Sequence, residues 1–133
     1  MGTKLSLQTV IDRYRYHWDF AELDLSDINR QCYPDDDALL HLVTRIGNLE
    51  EIEMLVASGA RVNASGDMGF TPLHYAAMRG RLDVAEKLIE LGADPSTRNE
   101  WGDTSADTAA NGGHKKLATL LQTMRRRKRQ GRP

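Results

Sequence analysis

The chain repeats itself at a fixed spacing. Slid by 33 residues, Leu40-His41 falls on Leu73-His74, Gly47 on Gly80, Leu49 on Leu82, Leu55 on Leu88, and Gly59-Ala60 on Gly92-Ala93. A second slide of the same length carries Gly69 to Gly102, Thr71 to Thr104, Ala76-Ala77 to Ala109-Ala110, and Leu88 to Leu121. A unit this short cannot bury its apolar side alone, so neighbouring units must stack to share a core. That requirement constrains the fold more tightly than anything else in the sequence.

The unit from Gly66 to Arg98 is the most regular, and its residues explain themselves. Thr71 is a good helix N-cap, and Pro72 follows at the first helical position, where its missing N–H costs nothing. Leu73, Ala76 and Ala77 give the first helix a small apolar face, and Gly80 ends it. A second helix over about Leu82–Leu91 turns Val84, Ala85, Leu88 and Ile89 inward. Gly92 stands where a left-handed helix stop is wanted, and Ala93-Asp94-Pro95 leads into a turn.

Thr71-Pro72-Leu73-His74, Gly80 and Leu91-Gly92-Ala93-Asp94 closely resemble the ankyrin repeat, and the likeness extends over Asp35 to Thr123. The resemblance implies an all-α solenoid of about three helix–turn–helix repeats joined by short hairpin loops. It divides the chain into residues 1–34, a degenerate repeat or N-terminal helical cap; residues 35–123, with repeats near 33–65, 66–98 and 99–123; and 124–133, a basic tail expected to be disordered. The outer units depart from the pattern. Ala38-Leu39-Leu40-His41 replaces the threonine and proline, and Asp36 takes the usual glycine place. Thr104-Ser105-Ala106-Asp107 lacks the proline and has alanine for the core leucine, while Lys115 and Lys116 suit a polar end-cap.

Residues 1–34 break the period. Val10, Ile11, Tyr14, Trp18 and Ala21 recur at helical spacing, which predicts a helix over about Leu7–Ala21. Leu23 to Asn29 resembles the Gly-Ala-Asp-Val-Asn end of an ankyrin unit. These features fit a degenerate repeat covering the apolar end of the stack. The alternative is that Tyr14, Tyr16, Trp18 and Phe20 form a partner surface.

Composition excludes several classes. At 133 residues, 40% apolar and 28% charged, the chain is an ordinary globular unit. It holds no apolar run of the roughly 18–20 residues a spanning helix needs, and no secretory leader, so a cytoplasmic location is expected. Cys32 is the single cysteine, which excludes an internal disulfide and a cysteine-cluster metal site. The net charge of −1 conceals an asymmetry: without Arg125, Arg126, Arg127, Lys128, Arg129 and Arg132, 12 basic residues face 19 acidic ones. The basic run suits a solvated tail beside the negative end of the last helix, or an import signal. With no aromatic residue near it, its own grip on nucleic acid is expected to be weak.

A search for chemistry finds no catalytic set. The resemblance gives His41 and His74 a structural hydrogen-bonding role, and places His114 between helices; His17 falls on the first helix. None is spaced as a metal ligand. Asp35-Asp36-Asp37 lacks the glycine and final glutamate of a calcium loop, and Asn111-Gly112-Gly113-His114 lacks the lysine and hydroxyl of a phosphate cradle. The expectation is a non-enzyme that needs no cofactor.

Ankyrin proteins bind partners through hairpin tips and the exposed side of their first helices. The resemblance carries this onto tip residues Asp35, Asp37, Asp67, Met68, Phe70, Glu100, Trp101 and Asp103, and onto first-helix residues Arg45, Met78, Arg79 and Asn111. Trp101 stands between Glu100 and Gly102 in a polar turn, so it is either a binding hot spot or a lid folded onto Met68. Acidic tips suit a basic protein partner, and the chain is expected to be a monomer when free. Small stand-alone ankyrin proteins resemble bacterial ones that neutralise a toxin, the narrowest functional expectation. The alternative is a regulatory adaptor whose solenoid holds one partner while its basic tail meets nucleic acid or an import receptor.

Overall fold

A computed structural model describes residues 5–14, 27–31 and 36–131. The expectations for Asp35, Cys32, His17, Tyr16, Trp18, Phe20, Ala21 and Leu23 to Ser26 lie outside these residues. Among the described residues there are seven α-helices: α1 (Leu7–Tyr14), α2 (Leu39–Ile46), α3 (Leu49–Ala57), α4 (Pro72–Arg79), α5 (Leu82–Glu90), α6 (Ser105–Asn111) and α7 (Lys115–Arg129). Among the described residues a 3-10 turn spans Asp67–Gly69. Helices α2, α4 and α6 stack in one row, and α1, α3 and α5 in a second, with α7 packed on α6.

The caps form as their residues require. Thr71 Oγ1 accepts the His74 N–H, and His74 Nδ1 accepts the Thr71 N–H at 3.1 Å. Thr104 and Asp107 make the same reciprocal pair, with Asp107 Oδ2 accepting the Thr104 N–H at 2.9 Å. At the far end of α5 the Gly92 N–H reaches Ile89 O and the Ala93 N–H reaches Leu88 O, with Gly92 at φ 107°. Gly59 and Ala60 close α3 identically. Both glycines hold the left-handed turn this double stop needs, where a Cβ would be strained.

Between repeats, the loops are stitched by side chains. Asn63 donates to Gly92 O and accepts the Asp94 N–H; one unit earlier, Asn29 donates to Gly59 O and accepts the Arg61 N–H. The buried histidines make a second seam. The backbone N–H before each ring fixes Nδ1 as an acceptor, so Nε2–H donates onward. His41 reaches Ala64 O and His74 reaches Asp103 O, both at 2.9 Å. Burial pushes both imidazoles below their ordinary pKa, which suits this neutral form.

One core runs the length of the stack. Leu39, Leu40, Val43, Ile52, Leu55, Leu73, Ala76, Ala77, Val84, Ala85, Leu88 and Leu121 are all buried. Each fully buried Leu, Val or Ile contributes about 1.5–3 kcal/mol relative to exposure. Helix α1 joins that core through Val10, Ile11 and Tyr14. Its Arg13 and the Tyr14 hydroxyl both donate to the fully buried Glu51 carboxylate of α3. Helix α1 thus packs on α3 at the first end of the described stack.

The basic segment departs from expectation. The disordered tail anticipated from position 124 is instead the continuation of α7, which runs to Arg129. Arginine and lysine are good helix formers, and cations in a last turn are favoured by the helix dipole. Lys128 also pairs with Asp94 at 2.7 Å. Burial works to raise the Asp94 carboxyl, yet Lys128 and Ser96 outweigh it and hold the carboxyl below its ordinary pKa.

Candidate functional site

Two hairpin turns, one period apart, build the exposed edge. The Gly66 N–H bonds to Phe70 O at 2.8 Å, and the Asn99 N–H to Asp103 O at 2.9 Å. They are joined where the Glu100 N–H donates to Met68 O at 3.0 Å. That approach needs Gly69, because a Cβ there would lie 3.0 Å from the Glu100 nitrogen, and its φ is 75°. Met68 itself holds φ 54°, an uncommon conformation for a side chain that lies 46% exposed.

Trp101 is 62% exposed and stands edge-to-face on Phe70, their centroids 5.6 Å apart. The Asn99 side chain accepts the Trp101 N–H and the Asp103 N–H, each at 3.0 Å, which fixes the turn. Phe70 in turn stacks on His74 at 5.7 Å and meets the Tyr75 edge at 5.5 Å. The tryptophan ring rests on Phe70. It caps a column of aromatics rooted in α4.

The structure corrects the place given to Asp37. Expected on an exposed tip, it is only 7% exposed, held beneath the edge. The Tyr75 hydroxyl donates to its carboxylate at 2.9 and 3.0 Å, and the Asp67 N–H at 2.9 Å. Burial, followed by the Asp37 carboxylate, pushes the Tyr75 hydroxyl far above its ordinary pKa. Arg45 closes the group, 3.8 Å from Asp37 and 5.4 Å over the Tyr75 ring. Arg45 is thus half-engaged within the fold rather than a free contact.

The remaining expected residues divide. Asp67 and Glu100 are exposed beside Met68 and Trp101, and Asp103 is half-buried, its carbonyl accepting from His74. Met78 (44% exposed), Arg79 and Asn111 lie at the far ends of α4 and α6, separate from the aromatic column. Sequence reasoning missed Tyr75, the residue that ties the column to Asp37. Among the described residues no group of histidine, cysteine or carboxylate side chains could hold a metal ion. No helix among them is long and apolar enough to cross a membrane.

A family model described as ankyrin repeats (3 copies) matches residues 14–99. The chain is 39% identical over 106 residues to the ARF GTPase-activating protein GIT2 of Rattus norvegicus, covering 73% of this chain and 14% of that protein. It is 41% identical over 75 residues to the human protein phosphatase 1 regulatory subunit 27, covering 56% of this chain and 49% of that one. With human ARF GTPase-activating protein GIT1 it shares 42% identity over 83 residues, 11% of the relative's length. The chain therefore spans a small part of the GTPase-activating proteins and about half of the phosphatase subunit.

Proposed function

The chain belongs to the ankyrin-repeat family, and from that premise we propose that its Trp101 edge binds a protein segment bearing basic side chains, in the service of regulation. An ankyrin stack is a protein–protein interaction module; the partner's character and the purpose are what is added. The observation that carries the proposal is Trp101 itself. It is a large apolar ring resting edge-to-face on Phe70, left 62% exposed, with Asp67 and Glu100 exposed on the same edge. A pre-set aromatic loses little freedom on binding, and flanking acids select and speed a cationic partner.

The regulatory purpose is supported by the relatives' names, a GTPase-activating protein and a phosphatase regulatory subunit. Toxin neutralisation, the narrower expectation, finds no support among them. The adaptor reading is preferred, and a cytoplasmic location belongs to the same proposal. The test is an array of random peptides of graded net charge, probed with the full chain and with a Trp101→Ala, Glu100→Lys variant. Selection of Lys- and Arg-rich peptides, lost in the variant, is the expected result. Selection that ignores charge, or that survives the substitutions, would sink the proposal.

A further inference from the structure

The outer side of the last described helix pair offers a second surface. Each earlier helix pair is covered by the next: α4 lies on α2, α5 on α3, and α6 on α4. On the α4–α5 pair, Leu73, Ala77 and Ala85 are buried. One period on, Ala110 is exposed and Ala118 half-exposed. They line a groove of about 370 Å³ between α6 and α7 with Ala106, Thr119, Gln122 and Arg126. Its floor is made of the small side chains of Ala106, Ala110 and Ala118.

Charge decides what fits there. Helix α7 reads Lys-Lys-Leu-Ala-Thr-Leu-Leu-Gln-Thr-Met-Arg-Arg-Arg-Lys-Arg, with cations at both ends and no acid between. A second copy laid antiparallel would set the arginine run on Lys115 and Lys116; laid parallel, it would set arginines on arginines. Either arrangement costs like-charge repulsion. The groove's own acid, Asp107, accepts the Thr104 N–H and keeps its charge, so the positive field comes from Arg126 and the rest of the arginine run at the far end of α7. We propose that the α6–α7 groove docks an amphipathic helix of a partner protein, with a small apolar face flanked by acidic side chains. This surface lies apart from the Trp101 edge and does not depend on it.

The probe is a synthetic helical peptide of Glu, Ala and Leu, about 18 residues long so that it is helical in water, and its Lys-for-Glu counterpart. Both are titrated into the isotope-labelled full chain and followed by amide shifts. The acidic peptide should move amides of residues 106–126 and the lysine peptide none. Two variants separate shape from charge. Ala110→Gln fills the groove without changing charge, and Arg126→Glu with Arg127→Glu reverses charge without filling it. Each should weaken binding about tenfold or more. The proposal is overturned if Ala110→Gln binds as tightly as the parent, if the shifts map to residues 66–103, or if duplex DNA competes the peptide off and binds more tightly.

Discussion

The α4–α5 pair and the α6–α7 pair are two versions of one unit, and they differ where a neighbour is present or absent. In the first, the residue three places after the capping threonine is His74, whose two ring nitrogens serve both its own cap and the next hairpin's Asp103 carbonyl. In the second it is Asp107, which accepts from its own cap only. Leu73 becomes Ala106, and the buried Ala77 becomes the exposed Ala110. At this position a two-sided side chain links its repeat to the next hairpin, and a one-sided one serves its own cap.

The largest test of that contrast is a matched substitution. Ala77→Gln forces a long polar chain into a closed core and should cost about 2–4 kcal/mol, while Ala110→Gln should stay within about 0.5 kcal/mol. Urea unfolding measures both; equal losses would mean the last pair is as closed as the middle one.

The next largest is a pH effect that belongs to the central seam. An imidazole freed by unfolding titrates near 6.5, whereas burial holds His41 and His74 lower in the fold. The unfolded chain thus takes up protons first as pH falls. Stability is full above about pH 6.5 and declines below it, until the folded rings themselves protonate. Urea midpoints at pH 7.5, 6.5 and 5.5 should fall in that order, and His74→Gln should flatten the slope. A parent protein with level midpoints would show that the rings are not the sensitive element.

The smallest effect concerns the overhang of α7. Lys128→Ala removes a half-exposed ion pair with Asp94 and should cost no more than about 1 kcal/mol. The melting temperature reads that cost, and a drop much larger would mean the arginine run is integral to the core.

The repeats were legible because their determinants are local. Thr71, Pro72, His74 and Gly92 specify caps and stops within a few residues, and a 33-residue slide exposes them. Helix α1 was legible for its apolar spacing alone. What escaped is what depends on a neighbour. Asp37 counted as one more exposed acid, because nothing near it in sequence reveals Tyr75, 38 residues away, pointing a hydroxyl at it. A rule of composition made the arginine run a solvated tail, although those residues prolong a helix once one has begun. Trp101 was found by its oddness in a polar turn, but its seat on Phe70 needed the two hairpins side by side.

The tie between Lys128 and Asp94 gives the overhanging helix a mechanical meaning. Asp94 opens the same loop that carries Trp101, seven positions further on. Helix α7 has 15 residues to α5's nine, a surplus of roughly 9 Å of rigid rod at 1.5 Å per residue. Through that ion pair the end of the rod is tied to the base of the loop that carries the tryptophan, a surface tie worth at most about 1 kcal/mol.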